Sequence, residues 1–199
     1  ERNIITRANC KHWIPEVEAG ISGKRLGIMG TGTIGSAVAQ HATHFGLAVT
    51  GLNSKGQSVP GFVTCYSNSH RFDFAQGLDY LVSLLPSTPA TDGIVDAALL
   101  ARMNPGGIFI NAGRGNAVLN ADLINALQQG PLRYAILDVF EEEPLAQSHA
   151  LWNVPGLFIT SHTAAPTPSE AIPEVFARNL SLFLTGEPMP DALCSERGY

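Results

Sequence analysis

The chain has 199 residues, 45% of them hydrophobic and 15% charged, with 12 basic against 17 acidic side chains and a formal net charge of −5. Charge well below the roughly 25% of an average soluble domain excludes a disordered chain, and an acidic balance without a basic block excludes a binder of nucleic-acid backbone. The length suits one domain or two small ones around a substantial core, and no apolar run approaches the roughly 18 residues that a membrane span needs.

Residues 1–20 look helical around Trp13 and suit an entry segment better than a core element. The run 25–29 is short, apolar and ends in glycines, which reads as a strand, and 34–45 then carries apolar residues at helical spacing up to Gly46. A strand over 48–52 leads into a Ser/Gly/Pro-rich loop lasting to Gly61, followed by a third strand over 63–66 and a short helix around 72–76. The nearly continuous apolar run 80–85 has the character of a strand buried on both faces and stops at Pro86. A helix within 93–103, a strand over 107–111, a helix over 121–129 behind Asn120 as N-cap, and a strand over 134–139 follow. After a loop rich in Glu and Pro come a short strand over 157–160 and a final helix. The capping box Thr167-Pro168-Ser169-Glu170 marks its start, with Pro168 at the first helical position, and Gly186 marks its end. Repeated strand-helix-strand units with right-handed crossovers predict an α/β fold: a doubly wound parallel sheet of the Rossmann type. The predicted organisation is an entry segment over 1–20, a dinucleotide-binding domain over 21–163 and a C-terminal helix and tail over 164–199.

Cys10, Cys65 and Cys194 lie far apart with no C-x-x-C pair, which predicts reduced thiols of a cytoplasmic protein, with neither a metal site nor a disulfide framework.

Gly30-Thr31-Gly32-Thr33-Ile34-Gly35 matches G-x-G-x-x-G, a weak signal alone. Here it follows an apolar strand and opens a helix, the context that gives the spacing its physical sense. Gly30 allows the tight turn, Gly32 lets a pyrophosphate approach the backbone, Gly35 lets helix and strand pack closely, and the helix N-terminus offers free N–H groups to phosphates. An acidic residue at the end of the second strand would accept hydrogen bonds from the ribose 2′-hydroxyl and repel a 2′-phosphate. Asn53-Ser54-Lys55 stands there instead, so NADP(H) is favoured as cofactor; with Lys55 merely a solvated loop lysine, NAD(H) could bind through Asn53.

Three polar segments recur at the carboxyl ends of predicted strands, the edge where open parallel sheets place ligands. Asn111-Ala112-Gly113-Arg114-Gly115 holds an arginine between two glycines, on a turn defined by its backbone, and a guanidinium fork suits a carboxylate. Leu137 through Pro144 carries Asp138 and the run Glu141-Glu142-Glu143, and Ser161-His162-Thr163 follows the last strand. Singly, each has a plain alternative: an acidic solvated loop, a surface salt-bridge arginine, a structural histidine.

Through Gly30–Gly35, Asn111–Gly115, Leu137–Pro144 and His162, in that order, the chain resembles the D-isomer-specific 2-hydroxyacid dehydrogenases over nearly its whole length from about Trp13. Asn53-Ser54-Lys55, Ser148-His149-Ala150-Leu151-Trp152 and the terminal Arg197-Gly198-Tyr199 look most like that family's glyoxylate/hydroxypyruvate reductase A group. The resemblance implies that Arg114 holds the carboxylate and carbonyl of a small 2-oxo or 2-hydroxy acid substrate, that His162 is the acid/base, and that Glu143 pairs with it. An imidazole near neutrality suits the proton that a carbonyl oxygen needs as hydride reaches its carbon. The resemblance further implies that Leu85, Pro86, Thr91 and Ala112 line the cofactor and that Asp138 faces the nicotinamide carboxamide. Plainer readings stay open: Pro86 and Pro89 as strand terminators, Asp138 as the cap of a local turn. The family's usual proline before the histidine is Ser161 here.

The family pairs through the nucleotide domain, which implies a homodimer with the segment around Trp13 reaching across. It also carries an N-terminal substrate domain of roughly a hundred residues, one domain's worth of chain, and this sequence begins near the interdomain helix. The expectation is a chain that binds dinucleotide but turns over poorly. The alternative is a dinucleotide-sensing interaction module of corepressor type, which need not keep Arg114, Glu143 and His162 together.

Overall fold

The structure, a computed structural model, describes residues 20–189. The expectations attached to Trp13, to Cys10 and Cys194 and to the terminal Arg197-Gly198-Tyr199 fall outside these residues.

Seven strands, β1 Arg25–Met29, β2 Ala48–Leu52, β3 Thr64–Tyr66, β4 Tyr80–Ser83, β5 Gly107–Asn111, β6 Leu132–Leu137 and β7 Leu157–Ile159, form one sheet in the order β3-β2-β1-β4-β5-β6-β7. Every pairing is parallel, as the alternation of strands and crossovers predicts. The helices are α1 Thr33–His44, α2 Arg71–Ala75, α3 Ala97–Leu100, α4 Asn120–Gln128 and α5 Ala171–Thr185.

The core divides between the two faces of the sheet. Leu26, Ile28 and Val49 pack with Ala39 and Ala42 of α1 on one side. Met29, Leu81, Phe109 and Leu137 pack with Phe74, Leu99 and Leu123 of α2, α3 and α4 on the other. Phe74, Leu81, Leu99, Phe109 and Leu123 are all at 1% exposure or less, and each such burial contributes about 1.5–3 kcal/mol. β1 and, but for Thr50, β2 are buried on both faces after their first residue, which is why they read as apolar runs rather than as alternating ones; β4, expected to be buried on both faces, instead alternates buried Leu81 and Ser83 with half-buried Tyr80 and Val82, because the helices cover its second face only in part. The sheet order reverses between β1 and β4, so the crevice for a ligand lies at their carboxyl ends.

Several boundaries move for physical reasons. β4 ends at Ser83 rather than at residue 85, because the chain turns toward the cleft after a last ladder bond from Leu84 N–H to Met29 O (2.9 Å). β6 begins at Leu132, which pairs with Gly107 across a register shift, and ends before Asp138. The expected helix within 93–103 shortens to α3, capped by the Asp96 carboxylate accepting from Leu99 N–H (2.8 Å). Asn120 is the first residue of α4 and not its cap, a position held by Leu119. The capping box at Thr167–Glu170 is not formed: α5 starts at Ala171, and Glu170 makes no side-chain cap bond. Pro173 explains this. From Ala171 it sits in the first turn, where its missing N–H costs nothing, whereas a start at Pro168 would place it in the helix interior. Gly186 ends α5 in the left-handed conformation, φ 72°. Ile172, Val175, Phe176, Leu180, Phe183 and Leu184 of α5 are exposed.

Candidate functional site

The turn after β1 is built from backbone contacts. Gly30, at φ 98°, donates its N–H to Leu52 O (2.9 Å) and thereby joins the ends of β1 and β2; a side chain is disfavoured at that dihedral. Beyond it, α1 packs so close that a Cβ on Gly35 would lie 1.9 Å from Gly30 O. Gly32 is the N-cap residue of α1, and a Cβ there would meet nothing within 4 Å. The open side of Gly32 and the first-turn N–H groups of α1, including those of Thr33 and Ile34, therefore face a space that a pyrophosphate can enter, with the positive end of the helix dipole behind it. A cleft of about 570 Å³ runs past Gly30, Gly32, Thr33, Ile34 and Gly35 to Asn53 and Ser54 on one side and to Leu85, Pro86, Ala112 and Arg114 on the other. These residues fit a dinucleotide.

Asn53 has a different employment from the one its position suggests. Its Oδ1 accepts from Lys55 N–H (3.2 Å) and Gln57 N–H (3.0 Å). Its Nδ2 donates to Thr31 Oγ1 (3.2 Å) and to Gln57 O (2.8 Å). The side chain thus shapes the loop after β2 and ties it to the Gly30–Gly35 turn; Ser54 lines the cleft, and the exposed Lys55 lies next to it in the chain without lining it. Thr91 is likewise a loop builder: 7% exposed, it donates to Pro86 O (2.7 Å) and receives Thr88 N–H (3.0 Å), holding the segment that carries Leu85 and Pro86. Ala112 follows β5 with its N–H on Ser83 O (3.1 Å).

Arg114 is wedged between two glycine contacts. A Cβ on Gly113 would lie 2.6 Å from Leu85 N and O, and one on Gly115 would lie 1.9 Å from Phe140 C and 2.3 Å from Glu141 N. The first contact sets the turn against the cofactor loop and the second against the segment that bears Glu143. Both are backbone against backbone, so only glycine fits. Fully buried Asn111 closes the turn by donating to Arg114 O (3.0 Å) and accepting from Gly113 N–H (3.2 Å). The Arg114 guanidinium donates to Gly113 O (2.8 Å) and is otherwise exposed.

His162 and Glu143 meet at 2.7 Å, Nδ1–H donating to Oε2. Glu143 Oε1 accepts Phe140 N–H (2.8 Å). The His162 hydrogen bond first, then that of Phe140, hold the Glu143 carboxyl below the ordinary carboxylate range, and the charges of His162 and Arg114 add to the effect. An ionised Glu143 accepts only, so Nδ1 carries the proton and Nε2 is the nitrogen left for exchange. A recess of about 490 Å³ beside the pair is walled by Phe140, Pro144, Leu145, Trp152 and Ile159.

His162 is the one non-glycine residue of the described chain with positive φ, 55°. Such a conformation costs about 1–3 kcal/mol and persists where surroundings overdetermine it. Asp138, 4% exposed, is that surrounding. Its backbone O accepts His162 N–H (2.8 Å), and its carboxylate accepts Thr163 N–H (3.0 Å), Ala164 N–H (3.0 Å) and the Thr160 hydroxyl. Burial alone would raise the Asp138 carboxyl; the Thr160 hydroxyl, the two N–H groups and the His162 charge outweigh it and hold the carboxyl low. Thr160, Asn111 and Thr31 were not marked as site residues by any motif. Thr160 and Thr31 act through hydrogen bonds to Asp138 and Asn53, each 22 positions away, and Asn111 through bonds inside its own turn; only a hydroxyl or amide next to a strand end hints at them. Among the described residues no helix is long and apolar enough to cross a membrane, and no group of three metal-ligating side chains converges.

The model of the D-isomer specific 2-hydroxyacid dehydrogenase NAD binding domain matches residues 5–164. The glyoxylate/hydroxypyruvate reductase A of Serratia proteamaculans is 38% identical over 162 residues, 81% of this chain and 52% of that relative. Among solved structures, the NADPH-dependent glyoxylate/hydroxypyruvate reductase of Sinorhizobium meliloti, in complex with NADP and sulfate, has a TM-score of 0.91 at 32% identity, over 100% of this chain and 64% of that one. A probable 2-hydroxyacid dehydrogenase of Rhizobium etli, in complex with NADP, HEPES and L(+)-tartaric acid, has a TM-score of 0.89 at 30% identity, over 99% of this chain and 63% of that one. The chain spans about half the length of the Serratia relative.

Proposed function

The chain belongs to the D-isomer-specific 2-hydroxyacid dehydrogenase family, and from that membership we propose that it is the dinucleotide-binding part of an oxidoreductase that reduces a small 2-oxo acid, of glyoxylate or hydroxypyruvate type, to the 2-hydroxy acid. The observation that carries the reading is the 2.7 Å contact of His162 Nδ1 with Glu143 Oε2 on the segment that packs against the Arg114 turn. NADP(H) is the favoured cofactor. Two considerations support that preference: no carboxylate stands at the end of β2 beside Ser54 and Lys55, and the Sinorhizobium and Rhizobium neighbours are complexes with NADP.

A reduced nicotinamide bound in the cleft supplies the hydride. The chain does the rest. The Gly30–Gly35 turn and the α1 N-terminus hold the phosphates, and Leu85, Pro86 and Ala112 wall the path toward Arg114. The Arg114 guanidinium binds the substrate carboxylate and polarises its carbonyl. His162, protonated on both nitrogens, keeps Nδ1–H on Glu143 and gives the Nε2 proton to the carbonyl oxygen as alkoxide charge develops; in the reverse direction neutral Nε2 takes it back. Glu143 fixes the ring by accepting Nδ1–H, which leaves Nε2 turned to the substrate. A sensing module need not keep such a pair beside an arginine, although some sensors retain it; the intact set favours the reductase reading over a corepressor-type interaction domain.

The side chains of His162 and Glu143 are 50% and 34% exposed. Water reaches a site that works best when dry, which supports slow turnover by this chain alone. The experiment is a fluorescence titration with NADPH and NADH, followed by NADPH oxidation in the presence of glyoxylate or hydroxypyruvate. NADPH is expected to bind more tightly and oxidation to depend on His162; equal rates for the chain and its His162→Ala variant would refute the assignment.

A further inference from the structure

Three consecutive backbone N–H groups, of His162, Thr163 and Ala164, converge on one buried residue, Asp138, and the hydroxyl of Thr160 completes the set. The first of the three is a histidine in the left-handed region, φ 55°, which a β-carbon disfavours. Ser161, immediately before it, makes no hydrogen bond among the described residues and has no ring to fix its φ. Nothing local to 161–162 therefore holds the dihedral. We propose that Asp138 and Thr160 are positioning residues that lock His162 into this conformation, so that Nδ1 meets Glu143 and Nε2 is presented for proton transfer.

The chemistry of the cluster favours this role over a ligand-binding one. Of the four lone-pair directions of a carboxylate, three are used inside the protein by Thr160, Thr163 and Ala164. An ionised acceptor grips N–H donors about twice as strongly as a neutral one, which suits a strained turn. Thr160 supplies both ends of the device: its N–H continues the sheet to Leu137 O (3.0 Å) and its hydroxyl reaches Asp138. The strand register thus transmits directly to the histidine loop. The inference rests on the reading of His162 as the proton-transferring group and adds the parts that aim it.

The test uses the whole chain with Thr160→Val, which removes the hydroxyl at constant shape, Thr160→Ser, which restores it, and Asp138→Asn as a second route to the same loss. Two quantities are read: the titration of the Glu143 carboxyl by carbon NMR, and the single-turnover rate of NADPH oxidation with glyoxylate beside the dissociation constant for NADPH. Thr160→Val is expected to raise the Glu143 carboxyl toward the ordinary glutamate range, with the Phe140 N–H still holding it partly down, and to slow oxidation by about tenfold to a hundredfold, the scale of an ångström-sized misplacement. NADPH affinity should stay within about twofold. Thr160→Ser should recover the loss. Wild-type titration of Glu143 in both Thr160→Val and Asp138→Asn would overturn the proposal. A chain whose Glu143 titration responds to Thr160→Val as stated but whose NADPH oxidation is the same with and without the His162 imidazole supports the positioning and refutes the reading of His162 as the proton-transferring group alone.

Discussion

Replacing Gly115 by alanine inserts one methyl group where the Arg114 turn touches the Glu143 segment. That carbon would stand 1.9 Å from Phe140 C, 2.2 Å from Phe140 O and 2.3 Å from Glu141 N. Ordinary contact begins at about 3.4 Å or more between carbons, so the two backbones must separate by about 1–1.5 Å. Neither side is the end of a flexible side chain: the Arg114 turn is fixed by Asn111, and Phe140 is fixed by its N–H on Glu143 Oε1. Overpacking of this kind costs about 1–3 kcal/mol, which for a chain of this size lowers Tm by roughly 2–4 °C per kcal/mol. The functional effect expected from the proposed reaction is larger than the thermodynamic one, because the displacement falls between Arg114 and the Glu143–His162 pair. A misplacement near 1 Å costs about a hundredfold in rate. NADPH affinity should change little, since the cleft from Gly30 to Pro86 is built by other segments. Differential scanning calorimetry, an NADPH titration and single-turnover oxidation measure the three quantities. A Gly115→Ala chain with wild-type Tm and wild-type rate would refute the reasoning that this contact is tight and sets the distance between the two halves of the site.

Exchange of His162 for Gln is expected to lower oxidation by about 10²–10⁴-fold, the usual contribution of a general acid, with NADPH binding retained in a fluorescence titration. Lys55→Glu should weaken NADPH by about tenfold through loss of a charge-assisted contact and leave NADH unchanged; equal effects on both cofactors would remove Lys55 from the 2′-phosphate. Asn53→Ala deletes four hydrogen bonds of the loop after β2 and should weaken both cofactors together, a pattern that separates loop building from direct contact. Asp79, Asp138 and Glu143 all have carboxyls held below their ordinary values, Asp79 because hydrogen bonds from Arg25 N–H and Asn104 and the charge of Lys24 overcome its burial. A depressed carboxyl contributes stability that is full above its unfolded value, about 4, and is lost as pH falls through the folded one. Urea unfolding should therefore show stability falling steeply below about pH 4 and the fall becoming shallower in Asp79→Asn.

Much of the architecture is legible in the residues themselves. Apolar runs of five or six, broken by glycine and followed by helical spacing, specify β1-α1-β2 without reference to anything distant, because strand burial on both faces removes the alternation and leaves the run. The phosphate turn is equally local: Gly30 needs positive φ, and Gly35 lies against Gly30 only five positions away. Helix starts were less legible. A capping box is a local pattern, yet α5 begins after it because Pro173 forbids an earlier start. Asn53 shows the same limit at the site, since its place at the end of β2 suggests a ligand contact while its four partners occupy it completely.

The order of motifs, the glycines around them and the identities of Arg114, Glu143 and His162 are properties of the chain, and they suffice to specify a doubly wound nucleotide fold with a histidine–glutamate pair at its carboxyl edge. The tertiary structure decided how those groups are held: Gly115 pressed on Phe140, Asp138 turned toward Thr160, Thr163 and Ala164, and His162 kept at φ 55°. Each of these joins residues about 20 or more positions apart. Periodicity and turn chemistry record what a residue does to its own backbone. Which lone pairs and which faces remain free for a substrate depends on neighbours that only folding brings within hydrogen-bond reach.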